Sequence, residues 1–123
     1  MGAIAGAARD PASVRAAIAR ASQATGVDFS YLLAQAKLES GLNPGARAPT
    51  SSAAGLYQFT RSTWLRTLDR HGAEHGLDGA AGAIESGRVA DPSTRSQLLA
   101  LRYDPDASAM MAAELASDNR AEL

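Results

Sequence analysis

Alanine fills 28 of the 123 positions in this chain, whereas valine and isoleucine together fill six. Alanine loses no side-chain entropy in a helix, and the β-branched residues that favour sheets do. The expected fold class is therefore all-α. At this length the chain has room for one compact domain with a single modest core. We read residues 1–9 as an N-terminal lead and residues 10–123 as the domain.

Helix boundaries can be read from punctuation. Asp10-Pro11, Asp91-Pro92 and Asp104-Pro105 each precede a run of good helix formers. The aspartate can cap free N–H groups, and proline fits the first helical position because its missing donor is unpaired there anyway. These pairs predict helices over about Pro11–Ala24, Pro92–Arg102 and Pro105–Ser117. The first carries Val14, Ala17, Ile18 and Ala21 as one apolar stripe and stops at Gly26. A second helix is expected from Asp28 or Ser30 through Ser40, and another from Thr60 or Ser62 to Gly72. The segment from Gly41 to Gly55 holds two prolines and reads as an ordered loop. Five glycines and no clear period between Gly72 and Asp91 predict a loop with one short turn of helix.

Composition removes several function classes. Twelve Lys and Arg against thirteen Asp and Glu leave a formal charge of -1, too little field to hold a phosphate backbone, so no nucleic-acid partner is expected. The absence of cysteine removes thiol nucleophiles, disulfides, iron–sulfur ligation and cysteine-based zinc sites. No run of about eighteen apolar residues is present to span a membrane. His71-Gly72-Ala73-Glu74-His75 matches His-x-x-Glu-His, which on one helix presents two imidazoles and a glutamate base. Gly72 weakens the helix that must carry both, so the histidines are read as solvent-exposed and no metal is assigned.

One carboxylate stands on an unexpected face. On the second helix Leu32, Gln35, Ala36 and Glu39 fall at i, i+3, i+4 and i+7, placing Glu39 on the stripe that should face the core. Partial loss of water there would raise its pKa towards neutrality, as a general acid requires. Around it stand Glu39-Ser40, Asn43-Pro44 and Gly55-Leu56-Tyr57-Gln58. In the last of these, Gly55 permits close approach of backbone to a ligand, Gln58 offers donor and acceptor, and Tyr57 offers an aromatic ring. Leu56, Phe59 and Trp64 read as core, and Ser40 either orients Glu39 or closes the helix end.

These elements, in this order and at these distances, resemble the soluble lytic transglycosylase domain and, more distantly, goose-type lysozyme. Thr50-Ser51-Ser52-Ala53-Ala54, Phe59-Thr60 and Trp64-Leu65 extend the resemblance over about Ala12 to Leu68. It implies a lysozyme-like helical domain acting on peptidoglycan glycan strands outside the cytoplasm, in the periplasm or on a virion, without metal or organic cofactor. It places catalysis on Glu39 and substrate binding on Ser40, Ser52, Gly55, Tyr57 and Gln58. Glu39 would protonate the β-1,4 glycosidic oxygen between N-acetylmuramic acid and N-acetylglucosamine, then deprotonate the muramoyl C6 hydroxyl to give a 1,6-anhydro product. No second carboxylate lies between Glu39 and Asp69 to pair with it, in keeping with a reaction whose nucleophile comes from the substrate.

Two features depart from the family pattern. Tyr57 stands where methionine is common, and the family's later Ala-Tyr-Asn element has no counterpart. Tyr103 is the nearest aromatic, in a helix-start setting. This departure implies a domain lacking the family's later helices, and leaves as the alternative a non-catalytic glycan-binding or assembly module of a larger cell-wall-penetrating machine.

Overall fold

The computed structural model describes residues 10–121; the reading of residues 1–9 as a lead lies outside them. Six α-helices among the described residues run in the order α1 Pro11–Thr25, α2 Phe29–Ser40, α3 Arg61–His71, α4 Asp78–Glu85, α5 Pro92–Ala100 and α6 Pro105–Ala121. Short 3₁₀ turns at Gly72–His75, Arg88–Ala90 and Leu101–Tyr103 join the later ones. None of these helices is long and apolar enough to cross a membrane.

The punctuation acts as the sequence predicts, with one difference. The Asp91 and Asp104 carboxylates accept from the backbone N–H groups of Thr94 and Ala107 at 3.0 and 2.8 Å. Asp10 makes no such bond, so α1 begins on the preset backbone of Pro11 alone. Asp28 caps α2 through the Tyr31 N–H at 2.9 Å, and Thr60 caps α3. Gly26 ends α1 in the left-handed conformation, its N–H donating to the Ser22 carbonyl at 2.8 Å.

The alanines show their use in α6. Ala107, Ala109, Ala112, Ala113 and Ala116 are buried there, beside the fully enclosed Met111, and side chains this small let neighbouring helices approach. The predicted stripe of α1, Val14, Ala17, Ile18 and Ala21, is buried in full and packs with them. Trp64 of α3 is enclosed as well. Its indole N–H donates to the Leu98 carbonyl at 2.8 Å, and its ring meets Phe59 edge-on at 4.9 Å. Leu56 and Phe59 are core residues, as expected.

The stretch from Gly72 to Asp91 corrects the sequence reading. It is largely helical, with α4 at its centre and a 3₁₀ turn on either side. Glycine lowers local helix propensity, but α4 buries Ala80, Ala81 and Ala83 against the rest of the molecule. Tertiary packing of one small-residue face stabilises a helix that local preference would not hold.

Candidate active site

The three sequence elements around Glu39 form one hydrogen-bonded unit. Ser40, at the end of α2, donates its hydroxyl to the Leu56 carbonyl at 2.6 Å, with the Ala36 carbonyl at 3.1 Å. The same oxygen accepts from the Asn43 N–H at 3.2 Å, and the Asn43 side chain accepts from the Gly45 N–H at 2.9 Å. That turn presents the Ala46 carbonyl, which accepts from the Gly55 N–H at 2.8 Å and from the Gln58 amide at 3.2 Å. Ala54 and Phe59 exchange both backbone hydrogen bonds at 3.0 Å, closing Gly55–Gln58 into a tight turn.

A groove of ≈ 240 Å³ opens beside this unit. Helix α2 contributes Tyr31, Gln35 and Glu39, the loop contributes Tyr57, Gln58 and Phe59, and the start of α3 contributes Thr60 and Thr63. The far wall is α6, through Ala112, Leu115, Ala116 and Asn119. Glu39 is the only acid among the described residues lining the groove. Asp69, the next carboxylate along the chain, instead lies against Glu85 of α4.

Glu39 itself is exposed, which corrects the expectation of a half-dry carboxylate. Leu32 and Ala36 of its stripe are buried, but the last turn of α2 runs out of the core and onto the groove. The groove holds the glutamate beside Gln58 all the same.

Of the predicted binding residues, Tyr57 and Gln58 line the groove with Glu39, and the others stand behind or beyond it. Tyr57 is 6% exposed, and its hydroxyl donates to the Leu32 carbonyl at 2.7 Å. Burial pushes that hydroxyl's pKa up. Its ring is therefore a packed wall between loop and α2, not a free platform for stacking. Gln58 adopts φ +54 and gives its amide hydrogens to the Gly55 and Ala46 carbonyls at 2.9 and 3.2 Å. Its amide oxygen accepts nothing from the described residues.

Gly55 is required for a different approach from the one anticipated. At φ +87 it lies against the Arg102 backbone, and a Cβ there would collide with the Arg102 carbonyl oxygen. What comes close is another part of the chain, not a sugar. Ser52 lies away from the groove, accepting from the Arg61 N–H at 3.1 Å beside Arg47 and Tyr103. Tyr103 lines that same arginine-bordered pocket, so it does not supply an aromatic group facing Glu39.

Four positions that line or support the groove escaped the sequence reading. Tyr31, half-buried Gln35 and Glu39 line the groove at intervals of four residues, a signal present in the sequence but masked by the apolar residues of the same helix. Asn119 reaches the groove from α6 with no local signal. Arg102 is 8% exposed and donates to the Ser52, Phe59 and Leu99 carbonyls at 2.6, 3.1 and 2.9 Å, pinning the outer side of the loop. Burial lowers its pKa, yet a guanidinium keeps its charge, so those carbonyls bear the load that water would otherwise carry.

The histidine pair also differs from expectation. His71 ends α3 and His75 closes the following 3₁₀ turn, so no single helix carries both. Their side chains are 12% exposed and meet carboxylates of α6.

Residues 16–122 match the model of the transglycosylase SLT domain. The match continues past the Ala12–Leu68 region whose motifs carry the resemblance, and takes in α4, α5 and α6. With its all-α, lysozyme-like fold, the chain belongs to the transglycosylase SLT domain family.

Proposed function

We propose that the domain cleaves the β-1,4 bond between N-acetylmuramic acid and N-acetylglucosamine in peptidoglycan strands without using water. Glu39 first donates a proton to the glycosidic oxygen. As a carboxylate it then removes the proton of the muramoyl C6 hydroxyl, whose oxygen closes on C1 to give the 1,6-anhydro sugar. One carboxyl group serves both transfers, and the substrate supplies the nucleophile that a second carboxylate provides or activates in most glycosidases.

The observation that carries this reading is the solitary acid: Glu39 stands in the groove with no other carboxylate among the described lining residues. The exposure of Glu39 fits an open groove that a glycan strand fills. A sugar lying between α2 and α6 displaces water from the carboxyl group and supplies the low-dielectric surroundings that the free groove lacks. Gln58 and Asn119 offer polar groups to the strand from opposite walls. Such chemistry belongs outside the cytoplasm, in the periplasm or on a virion.

Incubation with purified sacculi tests the proposal. Release of anhydromuropeptides, identified by mass, is the expected result. Reducing muropeptides would instead reveal hydrolysis by water, and retention on sacculi without release would make the domain a non-catalytic glycan-binding module.

A further inference from the structure

We propose that the side chains gathered between the Gly72–His75 turn and α6 form a site for one divalent transition-metal ion of the zinc class, ligated by His71, Glu74 and Glu114. His71 Nδ1 lies 2.9 Å from Glu74 Oε1 and 3.8 Å from Glu114 Oε1. The three ligand atoms of His71, Glu74 and Glu114 all fall within 4.8 Å of one another. A tetrahedral zinc with bonds of about 2.0–2.1 Å separates its ligand atoms by roughly 3.3 Å. Two of the three gaps bracket that separation and the third is no more than 4.8 Å, so rotation of the exposed Glu74 side chain admits an ion. His75 Nε2 lies 2.6 Å from the other oxygen of Glu114 and orients that carboxylate, leaving the fourth position to water.

A second residue of α6 prepares His71 for this role. Asp118 Oδ2 lies 2.8 Å from His71 Nε2 and accepts the proton on that nitrogen, while a metal would replace the proton that Nδ1 shares with Glu74 at 2.9 Å. A carboxylate on the distal nitrogen fixes both tautomer and ring orientation in metal-bound histidines. The charges agree. Three carboxylates, Glu74, Glu114 and Asp118, face two imidazoles, while Arg70 reaches only the edge of Asp118 at 3.7 Å. A dication balances the excess.

The donor set selects the ion. An imidazole with two carboxylates suits zinc and its neighbours, whereas calcium and magnesium favour all-oxygen shells. Both histidines and Glu114 are largely enclosed, and Glu74, with 58% of its side chain exposed, leaves an approach from solvent. The sequence motif alone argued against a metal because Gly72 breaks the helix. The missing ligand and the orienting carboxylate come from α6 instead. A bound ion would clamp the turn after α3 to the helix that forms the far wall of the groove, and so stabilise the folded chain.

The test uses the whole chain, with thermal unfolding and calorimetric titration near neutral pH in EDTA and in zinc chloride. Expected are one zinc per chain, a raised Tm that EDTA reverses, and no comparable shift with calcium or magnesium chloride. Glu74→Gln, at an exposed position, should unfold at the wild-type Tm in EDTA yet bind zinc at least tenfold more weakly, and His71→Gln should also bind at least tenfold more weakly. Absence of a zinc-dependent shift, an equal shift with calcium, or wild-type zinc affinity in either variant would overturn the site.

Discussion

The Ser40 hydroxyl lies 2.6 Å from the Leu56 carbonyl and joins the last turn of the glutamate helix to the loop that carries Gln58. This bond sets the spacing of the two walls. Ser40 does not line the groove, so its influence on chemistry passes through the position of its neighbour Glu39.

Ser40→Ala is expected to cost about 1 kcal/mol of stability, the worth of a partly buried hydrogen bond. Displacement of Glu39 should lower kcat for anhydromuropeptide release about tenfold, because small misplacements of a reacting group are costly. Sacculus affinity should stay unchanged. A variant that loses stability but keeps the wild-type kcat would show that Ser40 only closes the helix.

Glu39→Gln keeps the shape of the side chain and removes its titratable proton. Because Glu39 is exposed, unfolding stability should stay within about 0.5 kcal/mol of wild type. Loss of the general acid and base should reduce product release by about 10³-fold or more. Pelleting with sacculi should still recover the protein. Sustained turnover would remove Glu39 from the mechanism.

The two tyrosines of the groove should separate cleanly. Tyr57→Phe deprives the Leu32 carbonyl of a buried donor and should cost about 1 kcal/mol in a urea melt, with sacculus binding intact. Tyr31→Ala removes a ring that is 52% exposed, so stability should hardly change while binding weakens. The reverse pattern would assign sugar contact to Tyr57.

Gly55→Ala and Gly26→Ala form a matched pair, since both positions have left-handed backbone. At Gly26 nothing lies within 4 Å of an added Cβ, and the cost should be about 1–2 kcal/mol. At Gly55 the added carbon meets the Arg102 carbonyl, so the loss should be clearly larger and should extend to activity through displacement of Gln58. Equal midpoints for the two variants in urea would contradict the close approach.

Stability should also respond to the Asp69–Glu85 pair. The hydrogen bond with Asp69, followed by its like charge, raises the Glu85 pKa above the ordinary value of 4.5. A raised folded-state pKa means that the contribution is present below the unfolded value and is lost as pH rises through the folded one. Glu85→Gln should therefore raise the urea midpoint at pH 7 and leave it nearly unchanged at pH 4. A gain of equal size at both values would rule out charge repulsion as the cause.

Much of this architecture is legible without coordinates because its causes are local. The abundance of alanine sets the helical class, and Asp28, Asp91 and Asp104 begin helices through hydrogen bonds three residues long. That Glu39 and Gln58 stand in one groove is anticipated by the motif around them. Where the cause is distant, the reading fails. Helix α4 depends on burial of Ala80, Ala81 and Ala83, and the need for glycine at Gly55 depends on Arg102.

The same division governs the site. The chain's own order of residues names the acid and the loop that faces it, since helix ends, turns and short motifs obey neighbouring backbone geometry. Folding alone assigns Asn119 and Leu115 to the opposite wall, leaves Glu39 in solvent, and sets Glu114 and Asp118 against His75 and His71. Those outcomes follow from how α6 packs across the molecule, and helix packing depends on the summed burial of many side chains far apart in sequence.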